Sequence, residues 1–321
     1  MTTSIVAMGY QDNWMQILGS SFMRNAWLGG TIVALAAGLM GYFIVVRNSS
    51  FAAHALAHIG LPGATGAVLL GLPAALGLGV FCVGGALVIG ALGQRATDRD
   101  AATGTVLAFA TGLGLFFNSL ATRSSSTLTN VLFGNLLAIT TDQLLGFLAL
   151  LMVLAASIAV IYRPLLFTSV NSQVAEAKGV PVRGLSIAFV VLLGVTVTMA
   201  VQAVGTLLLF ALVVTPAATA LMLTARPVVA MAVSAAIGLV SVWVGLVTSA
   251  MFNLPPSFVI VTIACGIWLA VWAGSRVPRP SLRSAALARA STADRTEPAH
   301  EPFGAASGRP AIPGGDDPRA P

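Results

Sequence analysis

Lysine is all but missing from this sequence: Lys178 is the only one. Charge of either sign is scarce, at 8% of 321 residues, where a soluble domain averages roughly 25%. That shortage excludes a water-wetted globule, because 57% of the chain is hydrophobic and the mean hydropathy is +0.93. It also excludes a nucleotide-hydrolysing P-loop. Such a loop needs a lysine after Gly-x-x-x-x-Gly to reach the phosphates, and Lys178 has no glycine run before it. Cysteine is equally sparse. Cys82 and Cys265 stand far apart inside apolar runs, without metal or redox spacing, and read as small buried apolar residues. The net charge of +6 does not indicate a nucleic-acid binder. The basic residues stand singly between apolar runs and do not interleave with aromatics, the pattern of loops in a membrane protein.

What the chain does have is long apolar runs. A helix needs about 20 residues to cross the ~30 Å hydrocarbon layer. Nine stretches meet or approach that length: Asn25–Val46, Ala53–Leu70, Leu72–Leu92, Thr103–Ala121, Gln143–Tyr162, Leu185–Ala203, Val204–Thr224, Val228–Met251 and Phe258–Gly274. The tight joins at Gly71–Pro73 and near Gln202–Gly205 leave the count at eight to ten. The predicted fold is therefore an all-α integral membrane bundle of about nine helices. Arg47, Arg95, Arg99, Arg163, Lys178, Arg183, Arg226, Arg276 and Arg279 all fall on one side of it, against Arg24 and Arg123 on the other. The positive-inside rule then places the N-terminus outside and the C-terminus in the cytoplasm.

Three segments follow. Residues 1–24 form an N-terminal extracytoplasmic segment; with Asp12 and Arg24 and no apolar run before a small-residue site, no cleavable signal peptide is expected there. Residues 25–275 form the transmembrane domain. Residues 276–321, rich in Ala, Arg, Pro, Gly and Ser without apolar periodicity, are expected to be a disordered cytoplasmic tail. The stretch Ser124–Thr141 is too polar to span and too long for a turn. It either re-enters the protein interior or lies along the outer surface.

His54 and His58 are the most informative residues. They lie four apart in Phe51-Ala-Ala-His-Ala-Leu-Ala-His-Ile-Gly60, so a helix puts both on one face, about one turn apart. Ionisable side chains inside a span are costly and face the bundle interior or a water path. Two neutral imidazoles can converge on a divalent ion of the late first row. The alternative is a pair of interior histidines donating to backbone carbonyls; spacing alone does not separate the two. A zinc protease of the His-Glu-x-x-His type is excluded, because Ala55 follows His54 and no base stands between the histidines. The loop Arg163–Gly184 is the longest polar interruption of the body. It contains Val174-Ala-Glu-Ala-Lys-Gly-Val-Pro181, in which a short helix broken at Gly179 and Pro181 suits docking on a partner. Asn118, Asn130, Asn135, Asp142, Gln202 and Thr215 read as interhelical hydrogen-bonding residues.

Taken together, the chain from about Met23 to about Ser275 resembles the permease subunits of bacterial ABC importers for zinc, manganese and iron(II). The resemblance is carried by Val45-Val46-Arg47 with Ser50-Phe51 and Ala55-Leu56-Ala57-His58, by Phe133-Gly-Asn-Leu-Leu137, by the loop Ala175-x-Ala177-x-Gly179-Val180, and by Thr215-Pro-Ala-Ala-Thr219. It implies a dimer, usually of identical permease chains, two cytoplasmic ATP-binding-cassette ATPases that bind and hydrolyse the ATP, and an extracytoplasmic metal-binding protein. No permanently bound cofactor is implied. The loop residues Ala175, Glu176, Ala177, Gly179 and Val180 correspond to the ATPase-contacting region. His54 and His58 correspond to an acidic residue and a histidine that contact the metal. The chain departs from that pattern twice, with His54 in place of the usual Asp and Asn135 where an Asp is frequent. Exchanging a carboxylate for an imidazole favours zinc over manganese or iron. Two other classes stand against this reading: a related permease for cobalamin or a ferric siderophore, which needs no intramembrane metal ligands, and a membrane enzyme, which lacks its base.

Overall fold

Each apolar run folds as a helix because, in hydrocarbon, only a helix pairs all of its own backbone N–H and C=O groups within one segment. The structure, a computed structural model, describes residues 14–92, 96–120, 125–206 and 208–276. In chain order the helices are α1 (Trp14–Leu18), α2 (Ser21–Val46), α3 (Ser50–Leu69), α4 (Ala74–Leu92), α5 (Ala96–Leu120), α6 (Ser125–Phe133), α7 (Thr141–Val170), α8 (Ser172–Ala177), α9 (Val182–Val204), α10 (Leu209–Leu223), α11 (Pro227–Phe252) and α12 (Pro256–Arg276). A single 3₁₀ turn, Leu136–Ala138, follows α6. All nine expected spans are helices, and no strand occurs among the described residues. Residues 1–13 and, of the expected tail 276–321, residues 277–321 lie outside the described residues; Arg276 ends α12.

Six of the helices are long and apolar enough to cross a membrane by themselves: α2, α5, α7, α9, α11 and α12. Of the other three, α3 and α10 are explained by position. The α3 helix carries two histidines and Pro62, which lower its hydropathy, yet twelve of its residues are buried, including Leu56, Leu61 and Thr65. It packs most extensively against α4 and α5, so it does not need a lipid-facing surface. The α10 helix has 15 residues, about 22 Å at 1.5 Å per residue, short of a full crossing. Layering follows from the same contrast. The apolar windows of α2 and α9 are 67% and 61% buried in the bundle, whereas those of α5 and α7 are 17% buried. The outer helices turn large side chains outward, such as Phe109 and Val160. In water such a surface is a liability; against lipid it is the solvent match.

Close approach is achieved with small residues. A Cβ at Gly38 of α2 would collide with Ala235 of α11, and Gly63 of α3 abuts the Gly77 carbonyl of α4. Four interior hydroxyls bond within their own helices: Thr65, Thr196, Thr198 and Ser241 each donate to the carbonyl four residues earlier. Cys82 is fully buried and its thiol faces the Leu56 carbonyl at 3.3 Å.

Two sequence expectations are revised by position, and a third, left open, is decided. The polar loop does not begin at Arg163, because α7 runs on through Pro164 to Val170. The apolar residues Leu165, Leu166 and Phe167 sustain it, with Leu165 fully buried. The seventh span does not begin at Val204. Gly205, with φ 85° and ψ 167°, ends α9 in a region open only to glycine. Of the two placements open to the stretch 124–141, its described residues 125–141 take the inward one. The Thr206 N–H donates to the Val131 carbonyl at 2.9 Å, and Asn25 of α2 donates to the Ile139 carbonyl at 3.1 Å.

Candidate functional site

The site begins with α3. Its first turn follows a three-residue corner after α2, in which Asn48 takes a positive φ of 51° and the Ser49 N–H bonds the Ile44 carbonyl. Alanines at 53, 55 and 57 keep the helix narrow and fully buried on the faces that meet its neighbours. The remaining face carries His54 and His58. Their ring centroids are 4.9 Å apart at an interplanar angle of 74°, and the ring of Phe210 on α10 stands edge-on to His54 at 6.4 Å. Both rings are half-buried. The Nδ1 atom of each is buried and has no hydrogen-bond partner among the described residues.

An orphaned buried nitrogen is uncommon, since burying a polar atom without a partner costs about 1–3 kcal/mol. Here two occur on adjacent rings. Donation from Nδ1 to a backbone carbonyl, the ordinary role of an interior histidine, is therefore not made at either ring. The pair can offer two neutral nitrogen ligands from one helix face. No group of three His, Cys, Asp or Glu side chains converges among the described residues. A four-coordinate ion would need water or further donors beside the pair.

The second expected site is the α8 loop. Asn171 caps α8, its side chain accepting from the Val174 N–H at 3.1 Å. The helix then closes in a Schellman motif: the Val180 N–H bonds the Ala175 carbonyl at 3.1 Å and the Gly179 N–H bonds the Glu176 carbonyl at 2.9 Å. Gly179 takes φ 78°, which is why glycine stands there, and open space surrounds its α-carbon. Ala175 is fully buried, while Glu176 and Ala177 are exposed. The loop is thus a preformed turn with one anchored alanine and an outward polar surface.

Along the chain, Asn130, Asn135 and Gln202 read as separate interhelical hydrogen-bonding residues. The fold brings them together. With Gln143 they line a cavity of about 220 Å³ floored by Leu78 and Phe147. Gln143 is held by a capping box with Thr140, and the Gln202 amide donates to the Thr198 carbonyl at 3.0 Å. Asn118, Asp142 and Thr215 are not part of that lining. Phe210, beside His54, carried no sequence signal; one aromatic in an apolar run looks like any other.

The described residues thus form an all-helical multi-pass bundle with an interior histidine helix and a short capped loop between two long helices, an architecture suited to a membrane transport subunit. The chain belongs to the ABC 3 transport family, whose pattern matches residues 19–275. It is 32% identical over 244 residues to the manganese transport system membrane protein MntC of Listeria innocua, covering 76% of this chain and 87% of that one. It is 27% identical over 272 residues to a probable iron transport system membrane protein of Haemophilus influenzae, covering 83% and 98%. Among solved structures it is similar to PsaBC from Streptococcus pneumoniae in complex with Fab, with a TM-score of 0.74 and 29% identity over 86% of this chain and 99% of that one. The chain is thus a transport subunit of a bacterial cell membrane, as the family and the six long apolar helices require.

Proposed function

We propose that this chain is the membrane permease of an ATP-driven importer for a divalent metal ion, and that the ion meets His54 and His58 as it crosses. The observation that carries the reading is the pair of adjacent imidazoles whose buried Nδ1 atoms have no partner among the described residues. Interior ionisable groups of this kind are retained where an ion or proton passes. The manganese and iron transport named for the relatives supports a metal as cargo.

Zinc is the cargo that the side chains favour, since two neutral imidazoles suit it better than they suit manganese, which prefers carboxylate oxygen. The manganese names of the relatives favour a second reading, in which His54 tolerates manganese or iron with water completing the shell. ATP is hydrolysed by a separate ATPase subunit docked at Ala175–Val180, consistent with the lack of a P-loop. An extracytoplasmic metal-binding protein delivers the ion, two copies of the chain pair in the membrane, and the N-terminus faces outward. A cobalamin or siderophore permease remains the contrasting class, because it would not use the histidines at all.

The test is metal accumulation in cells lacking their own zinc and manganese importers, with the ATPase and binding protein co-expressed. His58→Ala should abolish accumulation while ATP hydrolysis by the assembled complex persists. Normal accumulation by that variant removes the pair from the pathway.

A further inference from the structure

One side chain joins the two regions just described. Arg47 is the C-cap of α2, and its guanidinium reaches across to both flanks of α8. Its Nη1 donates to Thr168 Oγ1 and Ser169 Oγ, each at 3.3 Å, on the last turn of α7. Its Nη2 donates to Ser186 Oγ at 3.2 Å on the first turns of α9. The guanidinium face lies 4.7 Å from the centroid of the Phe189 ring. Asn171, the cap of α8, is two residues beyond Ser169, and α9 begins at Val182, so one planar fork spans the entry to and exit from the α8 loop.

The other end of Arg47 is fixed to α3. The Ser49 hydroxyl donates to the Arg47 carbonyl at 3.2 Å, and the Ala53 N–H bonds the Ser49 carbonyl at 3.0 Å. Ala53 precedes His54 directly. The main chain of Arg47 and the first turn of the histidine helix therefore move together, while its head group is held by α7 and α9.

We infer that Arg47 is a positioning residue that transmits displacement of the α8 loop to the histidine helix. This rests on the reading above, in which α8 meets an ATPase and α3 meets the ion. Each of these three hydroxyls, at 3.2–3.3 Å, accepts from the guanidinium more weakly than a close carboxylate does, so these contacts can exchange as the flanks shift. A lysine cannot substitute, because an ammonium lacks the flat fork that reaches two helices and the ring at once.

The experiment uses the complete complex of permease, ATPase and binding protein in proteoliposomes, reading zinc or manganese uptake and ATP hydrolysis together. Arg47→Lys and Arg47→Ala should keep assembly and hydrolysis but lower the ions moved per ATP by about fivefold or more, the scale of an ordinary coupling free energy. The double variant Thr168→Val with Ser186→Ala, which removes acceptors and leaves the arginine, should lower the same ratio in the same direction. Permease binding of cobalt(II), read by its visible spectrum, should be unchanged in each. An unaltered ratio in Arg47→Ala overturns the inference. If that variant does not assemble, an unaltered ratio in the double variant overturns it instead. The parent reading fails on a different result, normal uptake with His58 replaced.

Discussion

At the α2–α3 corner the tertiary contacts are made by side chains; at the break between α9 and α10 they are made by main chain. Arg47 reaches four side chains at the corner, and His54 and His58 present unpaired nitrogens beyond it. At the break, Gly205 and Gly134 press backbone on backbone: a Cβ on either would collide with the other's segment, and Thr206 bonds Val131. The first region is held by groups that can exchange partners. The second is held by steric exclusion, which admits one arrangement. A transporter needs both, since a moving element must work against something that does not yield.

Substitutions can break or sharpen this contrast. The largest effect belongs to the break. Gly205→Ala demands a backbone region that only glycine occupies and drives a methyl into the Leu132 carbonyl. It should cost about 3 kcal/mol or more, combining strain and overpacking. Thermal unfolding in detergent reads this, and a melting temperature equal to that of the parent would show the break to be pliable. Next comes the histidine pair, where the effect falls on function and not on stability. His54→Asp supplies a hard oxygen and should move the manganese-to-zinc uptake ratio about tenfold toward manganese, within the range of a changed metal ligand. An unchanged ratio would take His54 out of the coordination shell.

Gly179→Ala should be milder than Gly205→Ala, although both glycines have positive φ. Nothing lies within reach of a new methyl at Gly179, so only the left-handed backbone is penalised, at about 1–2 kcal/mol. Equal losses at the two glycines would mean that φ, and not packing, fixes the break. The smallest effect is expected at Val160, which is 82% exposed on the outward face of α7. Val160→Ala should shift stability by less than about 0.5 kcal/mol. A larger loss there would mark that face as covered by protein.

Much of this molecule was readable along the chain. Nine apolar runs became nine helices because the backbone in hydrocarbon has no other way to pair its polar groups over one segment. The i, i+4 spacing of His54 and His58 placed both rings on one face, since helix geometry is local. Gly179 and Pro181 marked the end of α8 for the same reason. Other features had no local signature. Arg47 looked like one more positive charge at a membrane edge, and its hydroxyl partners are 121 to 139 residues away. The four amides that share a cavity are scattered from Asn130 to Gln202. The extension of α7 through Pro164 ran against the usual rule that proline stops a helix, because buried Leu165 holds the following turn in place.

Sequence by itself determined the solvent of this protein, its helices and the face on which its histidines stand, because hydropathy and helical period are properties of neighbouring residues. Tertiary structure alone decided that the histidine Nδ1 atoms lack partners, that Gly205 meets Gly134, and that Arg47 straddles α8. Those facts depend on which helices lie side by side. Hydrocarbon is equally hospitable to any apolar face, so hydropathy does not choose among neighbours; the close fit of glycines, hydroxyls and one guanidinium does.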